Sequence, residues 1–417
     1  MTRLPIVIPL KDVTFEAAVR SLSEEPWFAC IDARGAHPRA GRYSIVAANP
    51  LHTFTLAGAF VTADGHTTID TPHTALLRFC ARVRAMAFDP YLPFSGGILG
   101  YVGFEGARAL RGFAPAPGFT RLPQLRFGIY GSALVFDHAE GAAFIVANGD
   151  SIEEAVREAE VIQERLAKPL PQGLYERATA FGQSDLRLTP DECEFMRIVD
   201  AARSWVRAES AGRIHLARHS VVPQYGLTPV ELFLGGGSRG TVRAMFTHEG
   251  AAYIASSYDA LLNIRDRQLR SAIDPGQSPS AEIARELGEL CEGFDMPVAE
   301  SDPLGVSFTG RLRRELAPID ALIGLMPSRA MTGSPYDRAM DFIERHEGAH
   351  RTLYGGAFGS IDANTLSFWS AKGVQTVADG TIATTSGADI TADTDSKGFL
   401  QDFSTSLRLS LQRAQVS

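Results

Sequence analysis

At 417 residues and 45.0 kDa, the chain has room for two to four domains of roughly 100–200 residues each. A hydrophobic share of 45% with 21% charged residues excludes a disordered or fibrous chain, and a net charge of −8 argues against a nucleic-acid binder, whose footprint is a basic patch. Lysine occurs only at Lys11, Lys168, Lys372 and Lys397, so the other 36 of the 40 basic residues are arginine and any lysine chemistry has four candidates.

The first apolar stretch is interrupted by Pro5, Pro9 and Lys11, too early for a secretory signal, and no run approaches the ~20 apolar residues that cross a bilayer. A cytoplasmic protein without membrane contact is expected. From Trp27 to about Val146 short β-rich runs such as WFACID, YSIVAA and GILGYVGF alternate with glycine and proline turns, interrupted by one helix near Thr74 to Met86. Ser151 and Glu154 form a capping-box pattern with apolar positions Ile152, Val156, Ala159, Ile162 and Leu166, which predicts an amphipathic helix.

Residues 168–190 carry Pro169, Pro171, Gly173 and Gly182 with little periodicity and read as a connection between an N-terminal region (1–167) and a C-terminal region (191–417). A helix opening at Thr189-Pro190, with Glu192 at its third position, is expected to bury Phe195, Ile198, Val199, Ala202, Trp205 and Val206. Strand-like RIHLARHSVV, AMFTHEG, AYIASS and ALLNIRD follow, then helices at 280–292 and after Ser334-Pro335, strands near 355–362 and 365–378, and a closing helix from Ser396 with Phe399, Phe403, Leu407 and Leu411 on one stripe. Strands and helices in runs rather than in alternation give an α+β class.

Cys30, Cys80, Cys193 and Cys291 lie far apart, with neither a zinc-knuckle nor a disulfide spacing, and Cys30 and Cys80 read as core. No nucleophile elbow, P-loop or zinc-protease helix is present. His215 and His219 share a strand face roughly 13 Å apart, too far for one metal ion. Gly235-Gly236-Gly237 could cradle an anion, but a turn explains it as well.

Longer blocks are more specific. Residues 26–58, 92–104 (LPFSGGILGYVGF), 123–138 (PQLRFGIYGSALVFDH), 326–362 (MPSRAMTGSPYDRAMDFIERHEGAHRTLYGGAFGSID) and 386–394 (SGADITADT) resemble, in order, blocks of the chorismate-utilising family of aminodeoxychorismate synthase component I and anthranilate synthase component I. The resemblance implies a two-subdomain β-sandwich flanked by helices, with both regions intertwined. It also implies a site with cations for the two carboxylates of chorismate, a magnesium ion held by glutamates, and an acid or base beside the leaving hydroxyl.

Carried over position by position, that chemistry is largely replaced. The family's S-P-E turn is Ser257-Tyr258-Asp259, and its P-I-K-G-T lysine falls on Asp274. Its H-L-x-S histidine falls on Pro303, its I-R-T arginine on Ala371 beside Lys372, and its T-G-A-P-K lysine on Tyr336. Its second G-x-G glycine is Asp389, and the final helix offers Asp402 and Ser406 instead of glutamate and lysine. Glu286, Glu289 and Glu292 show no ligand spacing and read as a solvated helix face. The expectation is therefore no cofactor, with the family's magnesium site lost and no metal ligand named.

The resemblance places Asp274, Lys372 and Asp389 as catalytic candidates. It places His215, Asp259, Thr332, Gly333, Tyr354, Gly356, Ser386, Gly387 and Ala388 around the substrate, although glycine at such turns also answers a backbone need. Three readings stay open. The first is a divergent enzyme that has left chorismate amination for another small molecule of folate-like or specialised metabolism. The second is a pseudoenzyme binding a ligand or a glutamine amidotransferase subunit. The third is a genuine aminodeoxychorismate synthase component I.

Overall fold

The structure, a computed structural model, describes residues 5–34, 41–113, 120–168, 185–209, 212–236, 240–273, 280–295, 306–400 and 403. Its first half comprises β1 (Ile6–Leu10), α1 (Phe15–Leu22), β2 (Ala29–Asp32), β3 (Tyr43–Ala47), β4 (His52–Ala57), β5 (Phe60–Ala63), β6 (His66–Thr68), α2 (Pro72–Ala81), β7 (Gly97–Val102), α3 (Phe104–Leu110), β8 (Leu125–Tyr130), β9 (Ser132–Asp137), β10 (Ala142–Ala147) and α4 (Ile152–Ala167). The second half begins with β11 (Arg187–Thr189), α5 (Glu192–Ala208), β12 (Ile214–Pro223), α6 (Pro229–Gly235), β13 (Val242–His248), β14 (Ala251–Ser257), β15 (Leu262–Arg265), β16 (Gln268–Ile273), α7 (Ser280–Leu290) and β17 (Cys291–Asp295). It continues with β18 (Val306–Leu312), α8 (Pro318–Gly324), α9 (Tyr336–His346), β19 (Ala357–Ile361), β20 (Thr365–Ser370), β21 (Gly373–Ala378) and β22 (Thr381–Ile390).

The strands form two 11-stranded antiparallel sheets, and each mixes both halves of the chain. The first runs β1-β10-β9-β3-β2-β13-β14-β21-β22-β12-β11 and the second β17-β18-β16-β15-β20-β19-β7-β8-β4-β5-β6. The period of two along each strand explains the layering. On β7, Ile98 and Val102 face a core shared with α2, α3, α7 and α8, while Leu99 and Tyr101 face the other sheet. On β2, Ala29 and Ile31 fill the space between the sheets, while Cys30 packs with α1, α4 and α6. A fourth core joins α5 and α9 to β12 and β22 through Phe195, Leu216, Phe342 and Ile390. The result is the expected α+β sandwich with helices outside both sheets.

Local expectations hold at the strongest signals. Ser151 caps α4, accepting from the Glu154 N–H. The helix expected at Thr189-Pro190 is capped one residue later by Asp191, because Thr189 is taken into β11 against His219. The expected strand at 365–378 is two strands, broken at Ala371-Lys372, and the helix near Thr74 to Met86 gives way to a 3-10 turn at Arg82–Ala85. Helices α1, α3, α6 and α8 were not expected; each has eight residues or fewer, too short for periodicity to stand out. Gly235 ends α6, and a Cβ on Gly236 would press on the Arg243 guanidinium, so this pair closes a helix; Gly237 lies outside the described residues. In the connection 168–190, residues 169–184 lie outside the described residues, and no described helix is long and apolar enough to cross a membrane.

Candidate functional site

Strands β12 and β22 pair over their full length, and the register sets His215 directly opposite Asp389. The His215 Nδ1 lies 2.7 Å from Asp389 Oδ1, and its Nε2 lies 2.8 Å from the Tyr354 hydroxyl. Arg213, immediately before β12, reaches the same Oδ1 at 2.7 Å and donates to the Ala330 carbonyl at 3.0 Å. Burial pushes the His215 pKa down, against the opposing pull of Asp389, so the ring is neutral. Burial alone would raise Asp389, but the His215 hydrogen bond and the Arg213 charge hold it below the usual carboxylate range. Burial also pushes the Tyr354 phenol well up. The partners then assign the protons: Nδ1–H donates to the carboxylate, and Nε2 accepts from the phenol.

Tyr354 sits in a loop stitched to the β20–β21 turn, the Gly355 N–H donating to Ala371 O at 2.9 Å and the Ala371 N–H to Gly356 O at 2.8 Å. That turn carries Lys372. Its ammonium forms a buried ion pair with the Asp259 carboxylate and lies 4.6 Å from the centre of the Tyr258 ring. The hydrogen bonds between the Tyr354 loop and this turn set the lysine pair beside the histidine array.

The opposite wall comes from the segment before α9. Gly333 bridges to Ile214, and the Thr332 carbonyl accepts from the His215 N–H at 2.7 Å. The Thr332 hydroxyl is turned onto the carbonyls of Ser328 and Arg329, so it holds the turn rather than offering itself to a ligand. Gly333 has φ +147°, and a Cβ there would press on the Arg213 carbonyl. A Cβ on Gly387 would collide with both His215 Nε2 and the Tyr354 hydroxyl, so this glycine is what lets the two meet. Ser386 and Ala388 project from the other face of β22, where Ala388 packs against the α5–α9 core; only their backbone can line the site.

Sequence reasoning missed Arg213, Tyr258 and a brace behind the histidine. Arg351, 1% exposed, pairs with Glu347 at the end of α9 through its Nε at 2.7 Å and donates from Nη2 to the His215 carbonyl at 2.7 Å. Glu347 in turn accepts from the Ala217 N–H at 2.9 Å. An E-x-x-x-R spacing in EGAHR is the only signal that could have found it. His219 bonds Thr385 at 2.9 Å, apart from His215, and burial pushes its pKa down to about 4.

Four cations here meet a carboxylate: Arg213 with Asp389, Arg351 with Glu347, Lys372 with Asp259, and Arg329 with Glu286. Arg111, over the same Tyr336 ring as Arg329, donates instead to the Met326 carbonyl. Glu286 is half-buried against the Arg329 guanidinium, a correction to the solvated helix face. Glu289 pairs with Arg285, and Glu292 accepts from the Arg314 N–H. Tyr336, under the Arg329 guanidinium, bonds the Pro327 carbonyl. Among the described residues no three His, Cys, Asp or Glu side chains converge as metal ligands. Asp274, Pro303, Asp402 and Ser406 lie outside the described residues.

A family model described as "chorismate binding enzyme" matches residues 37–273 and 304–398, leaving out the interval that begins at Asp274 and ends at Pro303. Anthranilate synthase component 1 of Streptomyces coelicolor is 28% identical over 78% of this chain and 73% of its own length. Aminodeoxychorismate synthase component 1 of Klebsiella aerogenes is 23% identical over 95% of this chain and 96% of its own. The crystal structure of anthranilate synthase component I from Streptococcus pneumoniae TIGR4 superposes with a TM-score of 0.74 at 20% identity, covering 89% of this chain and 92% of that one, so the fold is the same.

Proposed function

Because the chain belongs to the chorismate binding enzyme family, we propose that it is an enzyme acting on a small molecule other than the dicarboxylate chorismate, with proton transfer run by Tyr354, His215 and Asp389. The observation that carries this reading is the Asp389–His215–Tyr354 array. A proton arriving at the Tyr354 oxygen can be matched by transfer of the phenol's own proton to His215 Nε2. The imidazolium so formed lies 2.7 Å from the Asp389 carboxylate, which stabilises it. Run backward, the same array delivers a proton. Asp389, with its side chain 31% exposed, is the open end of the array.

Charge decides the substrate class. The cations beside the array are each matched, Arg213 by Asp389, Arg351 by Glu347 and Lys372 by Asp259, so none of these three is left over to hold a substrate carboxylate. At an effective dielectric of ~20, an added carboxylate about 4 Å from Asp389 costs roughly 4 kcal/mol, close to three decades of affinity. A neutral or amine-bearing substrate with a hydroxyl or acidic C–H suits the array better.

The test has two arms. Purified protein with chorismate, Mg²⁺ and ammonia is expected to give no aminated product; turnover at 1 s⁻¹ or faster, the ordinary range of enzymes as an order of magnitude, sinks the reading. In a metabolite screen, a compound consumed by the wild type should be spared at least about a hundredfold by Tyr354→Phe, the usual scale of general acid–base catalysis. Equal consumption removes the array from the chemistry. The relatives' names, component 1 in each case, also support a second subunit of the glutamine amidotransferase kind. Co-expression and co-purification with a cognate glutaminase would test that extension.

A further inference from the structure

Strand β22 runs on past one of its neighbours. It pairs with β12 as far as Ile390, but its pairing with β21 ends at Thr385, opposite Val374. Beyond that point Ser386, Gly387, Ala388 and Asp389 form an open edge, each of them half-buried. In an antiparallel pair, residues that bond to the partner strand alternate with residues that turn their N–H and C=O away from it. His215 and Ala217 turn away from β22, since their N–H groups donate to the Thr332 carbonyl and the Glu347 carboxylate. Their partners Asp389 and Gly387 turn away from β12 by the same alternation, so the N–H and C=O of both point into the opening. Among the described residues no hydrogen bond reaches these four groups.

The Asp389 carboxylate points to a ligand independently of that edge. Both of its donors, His215 Nδ1 and Arg213 Nη1, go to Oδ1 at 2.7 Å and so fix the group. Among the described residues no donor reaches Oδ2, which is open to solvent rather than buried. Arg213 stands on the Oδ1 side and shares its charge with the Ala330 carbonyl. The opening thus presents an oriented carboxylate oxygen and two carbonyls that take donors, with two N–H groups that take an acceptor. A primary ammonium brings three donors and the charge that strengthens a bond to a carboxylate, and a neutral carbonyl answers the N–H groups without repelling Asp389.

We propose that this opening binds a small compound bearing a primary ammonium next to a neutral carbonyl, as an α-amino amide does, with the ammonium on Asp389 Oδ2 and the carbonyl on the strand edge. The proposal rests on the reading of Asp389, His215 and Tyr354 as the reacting site, and it names the class of substrate that enters there.

The test uses the full chain carrying nitrogen-15 histidine, with the His215 ring signals assigned by His215→Gln, and reads binding without turnover. Titration with L-alaninamide at neutral pH is expected to move the His215 signals saturably and to leave those of His219 in place. Propionamide, which lacks the ammonium, and L-alanine, which replaces the amide with a carboxylate, should each bind at least about tenfold more weakly. Asp389→Asn should weaken L-alaninamide by a similar factor, and the two wild-type comparisons stand whether or not that variant folds. Unmoved His215 signals with L-alaninamide, equal binding of propionamide or L-alanine, or undiminished affinity in Asp389→Asn would each overturn the proposal. If L-alaninamide fails to bind while Tyr354→Phe still spares a consumed metabolite, the substrate class falls and the proton transfer stands; binding together with unchanged consumption in Tyr354→Phe gives the reverse.

Discussion

Asp389 is the residue on which the site turns. Its carboxylate receives both Arg213 and His215, so Asp389→Asn removes one charge from a three-membered cluster and should cost about 1–3 kcal/mol of stability, read as a lower urea midpoint with unchanged slope. His219 gives the pH dependence. Its folded pKa of about 4 lies below the unfolded ~6.5, so between those values the unfolded chain binds more protons. The stability that the neutral ring supplies is full above pH ~6.5 and is lost as pH falls toward 4. His219→Gln should flatten the midpoint-versus-pH curve over that window, and a curve parallel to the wild type would count against a buried neutral ring. Asp389, His215 and Tyr354 could each be picked from the sequence, but not their contact. The β12–β22 register and the Tyr354 loop bring together residues 174 and 139 positions apart, and no local pattern encodes that.

At the scale of elements, the end of α9 holds β12 in place. The Glu347–Arg351 pair, with both side chains at most 5% exposed, grips the backbone at His215 and Ala217. Arg351→Ala leaves Glu347 buried and unpaired, and a loss of about 3–5 kcal/mol is expected. Arg351→Lys should restore part of the charge but not the fork that reaches two carbonyls and a carboxylate. A chemical-denaturation series over the two variants reads this directly. Long elements with strong caps, such as α4 and α5, were legible in the sequence. Short helices such as α3 and α8 were not, because their apolar faces are one or two turns long and take their stability from the sheet they cover.

The whole molecule joins both halves of the chain in two sheets, which is why a division at 168–190 in the sequence is not a division in space. The order of the sequence blocks pointed to this architecture, but the pairing of the charges beside the array could not be read from them. The acids Asp259 and Asp389 each looked like added negative charge until the structure set Lys372 and Arg213 against them. For the same reason a chelator should leave the melting temperature unchanged within about 1 °C, and a drop of several degrees would show a metal that contributes to folding. The central claim is that a charge-matched site does not take a dicarboxylate. Calorimetric titration of chorismate with Mg²⁺ into the wild-type protein tests it most directly. No saturable binding below about 1 mM is predicted, whereas a Kd in the micromolar range, near −8 kcal/mol, would contradict the account.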